Sequence, residues 1–208
     1  IDDCVEAFGS KYKGNYTGNL GTDVTIFSFQ TVRLPNTIDG GAIVFKDSDL
    51  YKKALLTRDF GIRRDIFRDE NNEISAKCDI SLSGYGATMS DINSYIGCCQ
   101  MDEIMMLLES QQRNAKKWDV IIEQTYPRFY RLNQRDQIQP NYWVYGFLCD
   151  RKIEVMLDFR KQGYYASGVH LNNNCYSVFG NTEKLCGVND FMKKFVAIPC
   201  GWWLNLNL

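Results

Sequence analysis

Ser28-Phe-Gln-Thr-Val-Arg33, followed by Asp39-Gly40-Gly41, holds the most informative residues of this 208-residue chain. The β-branched and aromatic run Val24–Phe29 predicts a buried strand, and Ala42–Phe45 predicts the next one. The two glycines between them suit a turn with positive φ or a close approach of two backbones. A hydroxyl, a guanidinium and a carboxylate therefore follow one another where a strand ends.

A second group of polar residues opens the chain, in Ile1-Asp-Asp-Cys-Val-Glu-Ala-Phe-Gly9. The pattern predicts carboxylates at the C-terminal end of a strand, where ligands bind in open α/β sheets. An aspartate in such a place is more often a cap or turn residue than a ligand-binding one. This segment alone does not identify a site.

The rest of the chain alternates between helical and extended patterns. Asp47 or Ser48 can cap a first helix, residues 62–83 indicate an irregular stretch, and Ser90 can cap a long helix over 91–118. Beyond Pro127 the patterns predict strands over 142–148, 164–169 and 196–199, with helices over 153–161 and 190–195. This alternation indicates an α/β chain. We expect a first domain at 1–120 that ends in the long helix, and a smaller α/β lobe at 121–208.

Composition excludes several classes of protein. Apolar residues make up 45% of the chain and charged residues 24%, with a net charge of −1, so a packed core is expected rather than disorder. No run of Lys and Arg is long enough to follow a phosphate backbone, which argues against a nucleic-acid binder. The longest apolar runs are too short to span a bilayer. We expect no membrane association, and the opening residues do not suggest a secretory signal.

The eight cysteines do not predict a disulfide framework or a metal site. None forms a CxxC pair, and His170 is the only histidine of the sequence. The expectation is therefore free, mostly buried thiols in a cytoplasmic protein, with no metal.

Taken in order, the motifs resemble a known family. Beside the opening segment and Ser28–Gly41, they are Gly18-Asn-Leu-Gly21, Gly84-Tyr-Gly-Ala-Thr-Met-Ser-Asp-Ile-Asn-Ser-Tyr-Ile-Gly97 and Ile198-Pro-Cys-Gly-Trp-Trp203. Together they resemble the DegT/StrS family of nucleotide-sugar aminotransferases that depend on pyridoxal phosphate (PLP), over essentially the whole chain. The resemblance implies the second half of the large domain of a fold-type-I PLP transferase, with a mostly parallel sheet, and a C-terminal α/β lobe.

The resemblance also implies roles for individual residues. Asp3 matches the aspartate that pairs with the pyridine nitrogen of PLP or pyridoxamine phosphate. Glu6 stands where a polar residue, often glutamine, approaches the ring, and Ser28 matches the serine that binds the cofactor's phosphate. Asp39 holds the acidic place before the two glycines. His170 lies in a lobe that faces the sugar nucleotide in the family.

Three residues depart from the family pattern. Arg33 stands in the place of the lysine that forms the Schiff base. A guanidinium has a pKa above about 12, so it stays charged and can neither form that bond nor act as a normal base. Gly86 replaces an asparagine that reaches the partner subunit's phosphate, and Thr88 stands where a basic residue is frequent.

Three functions remain open. The first is amino transfer, usually from glutamate, to a nucleotide-linked keto-deoxysugar in amino-sugar biosynthesis, by a cytoplasmic homodimer. The second is a catalytically inactive homologue that binds a sugar nucleotide or stabilises an active partner subunit. The third is a sugar dehydratase that uses pyridoxamine phosphate. Relatives with that activity carry histidine in the lysine's place, which Arg33 does not match.

Overall fold

The computed structural model describes residues 1–132, 135–180 and 184–206. By its internal packing the chain forms two compact units. Unit 1 comprises Ile1–Phe8 with Asn15–Asp102, and unit 2 comprises Gly9–Gly14 with Glu103–Leu208. The assignment of residues 1–120 to a cofactor-binding domain and of 121–208 to a small lobe stays a prediction.

Unit 1 is built on a small mixed sheet. Elements are labelled in chain order over both units, and β2 belongs to unit 2. Unit 1 contains β1 (Asp2–Asp3), β3 (Asn15–Tyr16), β4 (Val24–Ser28), β5 (Gly41–Phe45), α1 (Ser48–Arg58) and α2 (Asp91–Met101). Strand β4 lies between β1, which runs parallel to it, and β5, which runs antiparallel. Both strands predicted from the sequence are confirmed, and Asp47 and Ser90 cap the two helices with their side chains.

Unit 2 contains the remaining elements. They are β2 (Lys11–Tyr12), α3 (Ile104–Thr125), β6 (Tyr130–Arg131), β7 (Ile138–Gln139), β8 (Val144–Leu148), α4 (Lys152–Lys161), α5 (Cys186–Lys194) and β9 (Phe195–Pro199). Strand β8 lies between β6 and β9 and is antiparallel to both. Two short 3₁₀ turns lie at Asn173–Cys175 and Ser177–Phe179.

The prediction of one continuous helix over 91–118 is wrong, because the segment forms two helices. The backbone leaves the helical region at Glu103, with φ −110° and ψ 2°, so that α2 and α3 are separate helices. Tyr95 on α2 is exposed, whereas Leu107 on α3 is buried. The apolar pattern that suggested one helix therefore belongs to two helices that contribute to different units.

The predicted strand over 164–169 is also wrong. Only one bridge forms there, in which Ser167 and Ala197 exchange two backbone hydrogen bonds of 3.0 and 2.8 Å. Gly163 and Val169 both have positive φ, which ends extended structure on either side. The apolar residues of this segment serve packing instead: Ala166 is buried, and Tyr164 packs against the core of unit 2.

The core of unit 2 forms around Trp118 of α3. Its ring packs edge-on against Phe159 and Tyr164, and its Nε1 donates a hydrogen bond of 2.9 Å to the carbonyl of Pro199. Buried residues of the central sheet, Phe147 and Val196 among them, complete the same cluster. One indole thus joins the helix to the last strand by both packing and hydrogen bonding.

The cysteines carry free thiols, but the expectation that most are buried is wrong. Cys4, Cys149 and Cys200 are buried, whereas four others are exposed and Cys78 is intermediate. In the described part of the chain no helix has the length and apolarity needed to cross a membrane.

We expect Trp118→Ala to destabilise unit 2 by about 3–5 kcal/mol, because it empties a large core site and leaves the Pro199 carbonyl without its donor. Urea unfolding followed by circular dichroism measures this loss. Trp203→Ala is a matched control, since Trp203 is 64% exposed and Trp118 only 1%, and should cost about 1 kcal/mol or less. Equal losses in the two variants would show that Trp118 is not a core anchor.

The buried Cys200 makes stability depend on pH in the alkaline range. Burial raises the pKa of its thiol from 9.0 to about 12, with the Asp119 charge as a smaller cause. A raised folded-state pKa gives stability that is complete below pH 9.0 and is lost as pH rises toward 12. Between these values Cys200→Ala should flatten the fall of unfolding free energy by about 1.4 kcal/mol per pH unit. Urea titrations at several pH values test this, with exposed Cys186→Ala as the control that leaves the slope unchanged.

Candidate functional site

The C-terminal ends of β1 and β4 form the edge at which the predicted site residues lie. Asp3 pairs with Ile26 in parallel register, and the Cys4 amide donates a hydrogen bond of 2.9 Å to the Ile26 carbonyl. Because parallel strands end on the same side of a sheet, Asp3 and Ser28 lie at one edge. Strand β5 starts at that edge too, with Gly41 opposite Ser28.

The segment after β1 is a turn that presents carboxylates. The Asp3 side chain accepts a hydrogen bond of 3.2 Å from the Val5 amide, so Asp3 also acts as a turn residue. Next to it the Cys4 thiol is buried, and its pKa is raised to about 11 by burial, then by a hydrogen bond with Asp2 and by the charges of Asp2 and Asp3. Cys4 therefore stays protonated near neutral pH and is not a nucleophile.

The loop between β4 and β5, residues 29–40, carries Arg33. Its backbone amide donates a hydrogen bond of 2.8 Å to the Gln30 carbonyl, and the Leu34–Pro35 peptide bond that follows in the loop is cis. Gln100 of α2 then holds Asn36 through both backbone groups, each at 2.8 Å. The loop is tied to a helix and not only to the strands that it connects.

Buried Thr37 fixes the return of this loop toward β5. Its hydroxyl lies 3.1 Å from the Phe29 carbonyl and 2.9 Å from that of Asp39. The Asp39 carboxylate accepts a hydrogen bond of 3.0 Å from the Gly40 amide. Asp39 thus acts here as a turn residue.

The two glycines after Asp39 meet the backbone requirement expected of them. Gly40 has φ 140°, and a Cβ there would come within 2.3 Å of the Met89 sulfur. At Gly41 a Cβ would lie 2.6 Å from the Phe27 carbonyl oxygen, which is backbone and cannot yield easily. The prediction of positive φ or close backbone approach is confirmed.

An ion pair joins the two strand ends. A terminal nitrogen of Arg33 lies 3.2 Å from a carboxylate oxygen of Glu6, with the side chains 13% and 31% exposed. The structure therefore brings together two residues that the sequence placed separately at the cofactor. Of the predicted set, these two are in direct contact.

The other residues singled out from the sequence make different contacts. Gly86 is exposed and bridges to Asp59, and a Cβ on it would meet the end of the Phe60 ring at 2.4 Å. Thr88 is exposed. His170 belongs to unit 2, where its ring stacks on Trp143 with the centroids 6.2 Å apart.

The donor set at the edge suits a phosphorylated pyridine held without a covalent bond. A carboxylate such as that of Asp3 can pair with a protonated ring nitrogen, and a hydroxyl such as that of Ser28 can donate to a phosphate. The loop 29–40 contains no lysine, so it offers no amine for covalent attachment. Among the described residues no group of three or more potential ligands could hold a metal ion.

Sequence reasoning missed two contacts that shape this site. The opposite charges of Glu6 and Arg33, each just beyond a strand of the same sheet, were a usable signal for their pairing. No local pattern indicates that Gln100 holds Asn36, because the two are far apart in sequence and both are common loop or helix residues.

Comparison with known proteins identifies relatives over the same residues. The model of the DegT/DnrJ/EryC1/StrS aminotransferase family matches residues 1–205. A Helicobacter pylori UDP-4-amino-4,6-dideoxy-N-acetyl-beta-L-altrosamine transaminase is 26% identical over 99% of this chain and 54% of its own length. The chain spans about half the length of the curated relatives that it matches over nearly all its residues.

Solved structures show the same fold. The sugar aminotransferase CalS13 from Micromonospora echinospora superimposes with a TM-score of 0.87 at 27% identity, over 98% of this chain and 53% of that one. The putative sugar aminotransferase Spr1654 from Streptococcus pneumoniae, in its PLP form, gives 0.82 at 20% identity, over 98% and 53%. The fold is that of the C-terminal portion of the fold-type-I enzymes, as predicted.

The order of the motifs, the strand edge that carries the first two of them and the family match over residues 1–205 agree. This chain belongs to the DegT/DnrJ/EryC1/StrS aminotransferase family.

Proposed function

We propose that this chain binds a nucleotide-linked sugar within amino-sugar biosynthesis, and that Arg33 prevents it from carrying out amino transfer itself. The observation that carries the proposal is the identity and environment of residue 33. A guanidinium, ion-paired to Glu6 at 3.2 Å, occupies the place that the family pattern gives to lysine. An amine there could attack a carbonyl and carry a proton, whereas a guanidinium stays charged.

The cofactor of this site is PLP or pyridoxamine phosphate. PLP supplies, when bound, an electron-accepting ring for a substrate carbanion. We assign the ring nitrogen to Asp3 and the phosphate to Ser28, both at the shared strand edge. With no lysine in the loop, these groups hold the cofactor through hydrogen bonds and charge alone.

The names of the relatives support a substrate class. The Helicobacter pylori protein is named for a UDP-linked amino sugar and CalS13 is a sugar aminotransferase. We infer a nucleotide-linked keto-deoxysugar as ligand for this chain, with glutamate as the family's usual amino donor. A homodimer, a cytoplasmic location and a sugar contact by His170 belong to the same proposal.

The dehydratase alternative has less support. It requires a histidine in the lysine's place to move the substrate proton, and Arg33 is a poor base. The only histidine of the sequence is His170, in unit 2.

We expect the purified chain to bind a UDP-linked keto-deoxysugar without amino transfer. Calorimetry measures the binding, and conversion of glutamate to 2-oxoglutarate in the presence of PLP measures the transfer. Borohydride treatment should leave no cofactor bound to the peptide that contains Arg33. Formation of 2-oxoglutarate in amounts equal to the aminated sugar would contradict the proposal. So would a calorimetric titration in which no sugar nucleotide binds.

Ser28→Ala should weaken noncovalent PLP binding about tenfold or more, because a hydrogen bond to a charged phosphate contributes about 1.5–3 kcal/mol. Equilibrium dialysis against PLP gives the two dissociation constants. Ser81→Ala is the matched control, since Ser81 is exposed in the irregular segment between α1 and α2. An unchanged constant for Ser28→Ala would remove Ser28 from the phosphate site.

A further inference from the structure

Among the ion pairs of the described residues, the contact between Glu6 and Arg33 has the most shielded basic side chain. Its terminal nitrogen and carboxylate oxygen are 3.2 Å apart, and the Arg33 side chain is only 13% exposed. The pair Arg113–Glu109 is an ordinary surface pair by comparison, at 3.9 Å with both side chains more than 60% exposed. Screening by water is weaker for the first pair, so each charge there has more influence on the other.

The loop geometry keeps this contact in place. Arg33 lies between the turn closed by the Gln30 carbonyl and the segment that Gln100 holds at Asn36. Glu6 lies three residues beyond the end of β1, and β1 pairs in parallel register with β4. Both partners are therefore carried by fixed backbone, and little freedom has to be lost to bring them together.

A carboxylate at this distance favours the charged form of any basic group at residue 33. An opposite charge within about 4–6 Å shifts a pKa toward the charged state by about 1–3 units. For the native arginine, the carboxylate supplies a counter-charge to the guanidinium. For a lysine in the same place it would reduce the neutral amine that attack on a carbonyl requires.

We propose that Glu6 is a positioning residue that acts through residue 33: it orients the guanidinium, neutralises its charge and keeps whatever base stands there protonated. The inference rests on the proposed function, in which residue 33 faces the cofactor. It adds that Glu6, and not residue 33 alone, determines whether a neutral amine can exist at this position. Arg33→Lys alone would place a lysine side chain there, but with Glu6 beside it the lysine would stay mostly as the charged ammonium near neutral pH.

The test compares Arg33→Lys with the double variant Glu6→Gln/Arg33→Lys, without any cofactor. Competitive labelling with acetic anhydride over a pH range, read by mass spectrometry of the peptide that contains residue 33, gives the pKa of the introduced lysine. We expect the midpoint to lie about one pH unit lower in the double variant, which is about tenfold more neutral amine at a given pH below it. Equal midpoints would overturn the role of Glu6.

The control is Glu109→Gln in the Arg33→Lys background, which removes an acid of the same type from an exposed pair and should leave the midpoint unchanged. Because PLP is absent, the result does not depend on whether the chain binds the cofactor or the sugar nucleotide. Failure of the proposed function would appear in the binding and transfer assays, and failure of this inference only in the labelling.

A second measurement keeps the native Arg33 and serves if the lysine variants do not fold. Phenylglyoxal modifies accessible guanidinium groups, and Glu6→Gln should raise the rate at Arg33 several-fold relative to the wild-type chain. Glu6→Asp, which keeps the charge on a shorter side chain, should restore part of the protection. Equal rates at Arg33 in the wild type and Glu6→Gln would contradict the proposal.

Discussion

The parallel pairing of β1 with β4 is the constraint on which the candidate site depends. Because the two strands run in the same direction, the segments that follow them leave the sheet at one edge. This arrangement brings Glu6 and Arg33 within reach of each other. A slip of one residue in this register would turn alternate side chains to the opposite face and separate the groups.

The second constraint is the rigidity of the loop between β4 and β5. Gln100 binds both backbone groups of Asn36, and Thr37 places its hydroxyl against two further carbonyls. These contacts satisfy polar groups that would be costly to leave unpaired next to buried residues. These contacts fix the backbone of the loop three and four residues beyond Arg33.

Much of this could be predicted from the sequence, and the rest could not for identifiable reasons. Strands β4 and β5 were predictable because β-branched runs flank two glycines, and the helix starts at Ser48 and Asp91 because capping residues precede them. The break at Glu103 was not, since an apolar period persists through it although different units use its two halves. The contact of Gln100 with Asn36 left no signal, because it depends on how a helix packs against a loop distant in sequence.

The physical requirements of the fold differ from those of the chemistry that the family pattern assigns to residue 33. The scaffold needs Gly40 and Gly41 for clearance, a buried hydroxyl at Thr37 and polar residues at a shared strand edge, and this chain keeps all of these. None of these features involves an amine at residue 33, where the basic group is a guanidinium with a terminal nitrogen 3.2 Å from a carboxylate oxygen of Glu6. The packing requirements of the fold are therefore met without a lysine in the loop between β4 and β5.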